Sequence, residues 1–194
     1  YCSVLFIQEK AYIEVLIIGA NMKSKQDLIL ELFFDNPTRE WHFEELVKKA
    51  KIARSKVDNW LKRLIKEKLI TKVKKEGKMP YYISNYCSSE YKNKKKIFAL
   101  NKLHNSGLLN HLDSLEKAKT IIIFGSFSRS DWYKKSDIDI FIYGNPEGLK
   151  IAKYELELHR DIQVFICQNK EELKKYGGGL IRNIVQGNIM KGNL

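Results

Sequence analysis

Two carboxylates and a small turn carry the most specific chemistry in this chain. Gly125 and Ser126 follow the apolar run Ile121–Phe124, and after ten intervening residues come Asp137, Ile138 and Asp139. Glycine lets another group approach the backbone closely, and Ser126 offers a hydroxyl and an N–H to a phosphate. If a helix starts within 127–129, its N-terminus adds to that anion site. Arg129, Lys134 and Lys135 bring positive charge nearby. Two residues apart on a strand, Asp137 and Asp139 project from one face. Their mutual repulsion is relieved by a divalent cation, and Mg²⁺ favours carboxylate oxygens together with substrate phosphate.

The elements that must position these groups are legible around them. Ile121–Phe124 is uniformly apolar, as a buried strand should be. Ile138, Ile140 and Ile142 alternate with the carboxylates and are expected to face a core. HRDIQVFIC, residues 159–167, reads as a further alternating strand with Cys167 as a small core residue. Beyond it, Glu171 to Leu194 reads as a helix, a stop at Gly177–Gly179, and a helix from Leu180 to Met190 that packs Ile181, Ile184, Val185 and Ile189 on the sheet.

Upstream lies a different pattern. Ser24 can cap a helix over 25–35 that Asn36-Pro37 ends, and 41–43 reads as a short strand. A helix is expected over 44–51. A turn at 52–54 is followed by a helix over 56–68 capped by Ser55, with Val57, Trp60, Leu61 and Leu64 at helical spacing. Strands are expected over 69–74 and 81–84. The segment LVKKAKIARSKVDNWLKRLIKEKLITKVKKEGKMPYYIS resembles the winged helix-turn-helix family along its length, with Leu46, Ala50, Ile52, Ser55, Val57, Leu61, Leu64, Leu69 and Ile70 at its apolar positions. The resemblance implies double-stranded DNA as a partner. The third helix would enter the major groove through Arg54, Ser55, Lys56, Asn59, Lys62 and Arg63, with Lys72, Lys74, Lys75 and Lys78 on the wing. Residues 88–105 read as a basic helix (Lys92, Lys94, Lys95, Lys96, Lys102) with an apolar stripe at Ile97, Leu100 and Leu103, followed by a short helix over 108–115.

The Gly-Ser, ten-residue gap and Asp-Ile-Asp resemble the nucleotidyltransferase superfamily that includes DNA polymerase beta, kanamycin nucleotidyltransferase and the minimal nucleotidyltransferases. Minimal members often read GSxxRG, whereas Ser130 follows Arg129 here. The resemblance implies that Asp137 and Asp139 ligate metal, Mg²⁺ or Mn²⁺. Asp161 would be a third ligand on the acceptor side, and Gly125, Ser126, Arg129 and Lys135 would hold the nucleotide phosphates. The implied reaction moves a nucleoside monophosphate from an NTP, ATP first, to a hydroxyl, with in-line displacement. The alternative is a DNA-binding regulator whose nucleotidyltransferase module binds nucleotide without turnover. A HEPN-type partner, as in toxin–antitoxin pairs, or a homodimer could complete so small a site.

The totals agree with this α+β reading: a winged helix-turn-helix plus a small mixed sheet with helices. The chain has 194 residues, 44% hydrophobic, and a formal charge of +12. Residues 23–85 alone carry +7, from 16 basic and nine acidic groups, so the basic excess lies mainly upstream of the carboxylates. Cys2, Cys87 and Cys167 form no CxxC pair, which excludes a disulfide framework or structural zinc and fits a cytoplasmic protein. The N-terminal YCSVLFIQEKAYIEVLIIGA is broken by Glu9, Lys10 and Glu14; its longest unbroken apolar run, Val15 to Ala20, is too short to span a bilayer, and the stretch reads as a hairpin or as a leader before Met22. The expected organisation is 1–22 extension, 23–86 winged helix-turn-helix, 87–118 helical connector and 119–194 nucleotidyltransferase module.

Overall fold

The computed structural model describes residues 25–193. The expectations for residues 1–22 and for Ser24 as a cap lie outside them. The first half runs α1 (Lys25–Asp35), β1 (Trp41–His42), α2 (Phe43–Ala50), α3 (Arg54–Lys66), β2 (Ile70–Val73) and β3 (Tyr81–Ser84). This is the order read from the sequence. The three strands form one antiparallel sheet in the order β1-β3-β2. Ile29, Phe33, Trp41, Leu46, Val57, Leu61 and Leu64 fill its core.

Two boundaries differ from expectation. α2 starts at Phe43 and closes on Lys51, whose left-handed backbone (φ 54°) returns its N–H to the Val47 carbonyl. α3 starts at Arg54, so Ser55 is not its cap. Ala53 holds that place with an extended backbone and no side-chain cap, and its carbonyl accepts from Lys56 and Val57 N–H at 3.0 and 3.1 Å.

The second half opens with α4 (Ser89–Asn105), capped by Ser88, whose side chain accepts the Tyr91 N–H. α5 (Leu108–Asp113), β4 (Ala118–Phe124), α6 (Gly125–Arg129), β5 (Ile138–Gly144), α7 (Ala152–Leu158) and β6 (Ile162–Cys167) follow. The chain then forms α8 (Lys170–Leu173), α9 (Gly178–Val185) and β7 (Asn188–Lys191). The sheet order is β6-β5-β4-β7, with β5 and β6 parallel and the other pairs antiparallel.

The tail departs from the expected helix pair. Gly177 and Gly178 open α9 rather than ending a helix. Residues 188–191 are a strand, because they pair with Ile121–Ile123 at the open edge of β4. Ile184 is buried as expected, but Val185 is 59% exposed on the outer side of α9. α4 also turns differently. Its buried face is Tyr91, Lys95, Ala99 and Leu103, at a strict four-residue spacing, while Ile97 and Leu100 are only partly covered.

Hydrophobic packing runs through both halves. One continuous cluster of buried side chains extends from Ile29 to Ile162 and takes in Ile121, Ile123, Ile138, Ile140 and Ile142 on one face of the second sheet. A smaller cluster of Ile122, Phe124, Phe141, Cys167 and Ile184 covers the other face under α9.

Candidate functional site

The site forms where β4 ends and β5 begins. Register pairs Phe124 with Asp139 and Ile122 with Phe141, so Asp139 continues the α9-covered face past its last aromatics. Gly125 starts α6 directly off β4 with φ +71°. A Cβ there would enter the Asp139 carboxylate, 3.0 Å from its Cγ. Glycine is thus required twice, by a left-handed backbone and by a side chain pressed against it. The turn and the second carboxylate are in direct contact. Ser126 is half-buried in the first turn of the five-residue α6, which closes at Ser130, a left-handed residue (φ 64°).

Asp137 lies one residue before β5, and its Oδ2 accepts from Gln163 Nε2 at 2.7 Å. In the parallel pairing, Gln163 stands beside Asp139. Asp137 and Asp139 are both half-buried. Burial first, and then the Asp137 charge, push the Asp139 carboxyl above its ordinary range, while Arg129 opposes this. Two crowded, partly desolvated carboxylates suit a hard divalent cation, which relieves both effects. Asp137 and Asp139 would hold it, and it would neutralise phosphate charge.

The other expected residues are placed as follows. Asp161 is exposed, one residue before β6, and its carbonyl accepts the Ile138 N–H at 2.9 Å. Among the described residues, no three His, Cys, Asp or Glu side chains gather into a metal-holding group. Arg129 is exposed and paired with Asp131 at 3.0 Å, and Lys135 is exposed on the segment leading to Asp137.

In the first half, Ser55, Lys56 and Asn59 are exposed on α3, opposite buried Val57, Leu61 and Leu64. Three of their basic neighbours are engaged within the chain. Arg54 bonds Glu44 and lies over the Phe43 ring. Lys62 pairs with Asp58 at 2.6 Å and Arg63 with Glu67 at 2.8 Å. On the β2–β3 hairpin Lys72 lies 5.8 Å from the Tyr82 ring and Lys75 5.7 Å from that of Tyr81, while Lys74 and Lys78 are exposed.

Sequence reading missed four residues that hold the segment before Asp137: Asp35, Lys95, Trp132 and Arg160. Lys95 reads as a surface lysine, yet it is 2% exposed. Its Nζ donates to the Phe34 carbonyl at 3.1 Å and to that of Trp132, and lies 4.5 Å from the Trp132 ring. Burial pulls its pKa down to about 8, against the attraction of Asp35 and Asp131. The four-residue spacing Tyr91, Lys95, Ala99, Leu103 is the signal that could have revealed it.

Comparison with known proteins adds a class to this geometry. Residues 106–185 match the family described as Nucleotidyltransferase domain. The chain therefore carries a nucleotidyltransferase-family domain that includes the turn, both carboxylates and β6. No curated protein matches the chain. Among solved structures, that of apo (heme-free) PefR is similar at 18% identity and a TM-score of 0.36, covering 54% of this chain and 93% of that one. That of NadR in complex with 4-hydroxyphenylacetate is similar at 19% identity and a TM-score of 0.38, covering 58% and 81%. No helix among the described residues is long and apolar enough to cross a membrane.

Proposed function

We propose that the chain is a metal-dependent nucleotidyltransferase-like protein whose first half is a DNA-binding winged helix. It takes an NTP, ATP first, with Mg²⁺ or Mn²⁺, and passes a nucleoside monophosphate to a hydroxyl. One observation carries the reading: the Gly125 backbone abuts the Asp139 carboxylate, with Asp137 beside it. A phosphate received by the turn is then delivered to the carboxylate pair. Gly125 and Ser126 line the phosphate side, and Arg129 and Lys135 supply charge there. Labelled ATP with Mg²⁺ and candidate acceptors tests the reading. Wild type is expected to transfer label, and Asp137→Ala/Asp139→Ala is not; equal, background-level transfer by both would remove the enzymatic role.

A second reading has its own support. Gln163, an amide, holds Asp137 in place, and among the described residues no three His, Cys, Asp or Glu side chains gather around the pair. This favours a site that binds nucleotide without turnover, in a DNA-binding regulator. Saturable ATP binding that needs Asp137 and Asp139, with no product from any acceptor, is its signature. For DNA, Arg54, Ser55, Lys56, Asn59, Lys62 and Arg63 on α3, with Lys74, Lys75 and Lys78 on the hairpin, form the face that would meet the duplex. Arg54, Lys62 and Arg63 would exchange their acidic partners for phosphate.

A further inference from the structure

The carbonyl end of α1 is satisfied in an unusual way. A helix leaves its last four carbonyls without intrahelical partners, and its C-terminus attracts cations. In α1 these carbonyls are met by four separate parts of the molecule. Leu32 O accepts from Asn36. Phe33 O accepts from Ser84 Oγ at 3.2 Å and Tyr91 Oη at 2.9 Å. Phe34 O accepts from Lys95, and Asp35 O from the Lys134 N–H at 2.9 Å.

The last two contacts lead straight to the candidate site. Lys134 lies in the segment that joins α6 to Asp137. Arg160 Nη1 donates to the carbonyls of Tyr133, Lys134 and Ser136 at 2.6, 3.1 and 3.0 Å. Its Nη2 pairs with Asp35 Oδ1 at 2.7 Å, and the two side chains are 4% and 19% exposed. The Arg160 guanidinium and the Lys95 ammonium both lie against the Trp132 ring, at 5.1 and 4.5 Å, and Trp132 stacks on Phe127 of α6. Two buried cations thus hold four carbonyls within residues 132–136, and both are tied to the end of α1. Burial disfavours charge on Asp35 and Arg160 alike, so neither suits this place without the other.

We propose that Arg160 is the positioning residue of the candidate site. Its guanidinium fork sets the backbone of 133–136 and so the placement of Asp137 beside Asp139, and Asp35 of the first half sets Arg160. This rests on Asp137 and Asp139 being a metal site. The fork is needed because one ammonium cannot hold three carbonyls and a carboxylate at fixed angles. Arg160→Lys keeps the charge but loses the fork, and Asp35→Asn keeps the shape but loses the anchor.

The test is Mn²⁺ titration of the full chain, followed by loss of the free-ion paramagnetic signal, with amide hydrogen exchange on the same samples. Both variants are expected to bind Mn²⁺ about tenfold or more weakly, as metal sites do when a supporting partner is lost. Exchange should quicken in 132–137 while α3 and β3 stay as in wild type. Binding by both variants as tight as wild type would overturn the positioning role and leave the metal site standing. Failure of wild type to bind Mn²⁺ would remove the metal site and this proposal with it. Faster exchange across the whole chain in both variants would assign Arg160 to general stability and likewise overturn it.

Discussion

At the scale of single residues, the candidate site is a place where stability is given up for chemistry. Asp139 is half-buried, crowded by Asp137 and pressed against Gly125, so its charge weakens the fold. Asp139→Asn removes that charge at nearly constant shape. Without divalent metal, its unfolding midpoint in urea at pH 7 should lie above that of wild type, because burial and the Asp137 charge both disfavour the ionised carboxyl. Metal binding should vanish. The sign follows from the raised carboxyl: its cost is present once the group ionises and disappears as pH falls through its titration range. A lower midpoint for the variant would mean that the carboxylate is held favourably. Gly125→Ala acts the other way. It combines a left-handed backbone with a Cβ inside the Asp139 carboxylate, so it should lower stability by about 1–3 kcal/mol and abolish nucleotide binding, read by thermal unfolding and Mg²⁺·ATP titration.

At the scale of elements, α4 shows what packing can do to a surface-looking sequence. The sequence reads as a basic helix with five lysines and an apolar stripe at Ile97, Leu100 and Leu103, yet the buried face is Tyr91, Lys95, Ala99 and Leu103. Lys95 is buried because its acceptors, the carbonyls of Phe34 and Trp132, come from positions 61 and 37 residues away. No local pattern encodes such partners. The same limit explains β7, whose strand state depends on the open edge of β4. By contrast, Ile138, Ile140 and Ile142 were legible because alternation is local, whereas the contact of Gly125 with Asp139 follows from the β4–β5 register, which local spacing does not give. Asp35 and Arg160 left no trace in spacing at all.

Two measurements bear on α4. Ser88→Ala removes the cap accepting the Tyr91 N–H and should cost about 1 kcal/mol in urea unfolding. Lys95 has a folded pKa near 8, below the ordinary 10.5. The unfolded chain therefore binds the extra proton between those values, and stability rises with pH across that window. Comparing wild type with Lys95→Met cancels other groups, including Tyr91, whose pKa burial raises to about 12. The difference curve should climb between pH 8 and 10 and be flat between pH 6 and 7. A flat curve throughout would show that Lys95 is not held as a desolvated cation.

At the scale of the whole molecule, charge and architecture point to an anionic partner for the first half. Residues 23–85 carry most of the basic excess, and the exposed face of α3 with its hairpin gathers much of it while the opposite face of α3 is core. Lysines that meet phosphates release counterions, so affinity falls linearly in log salt with a slope of about −0.9 per contact. A duplex titrated from low to high salt should show such a slope with wild type. Lys56→Ala and Lys74→Ala should each flatten it by about one contact without changing which sequence is preferred, whereas Asn59→Ala should relax sequence preference and leave the slope unchanged. Arg54 begins paired with Glu44, so Glu44→Gln should tighten binding by freeing the guanidinium and removing a like charge from the approaching phosphates. If the duplex does not bind at low salt, or if Lys56→Ala and Glu44→Gln shift affinity in the same direction, the α3 face is not the DNA surface.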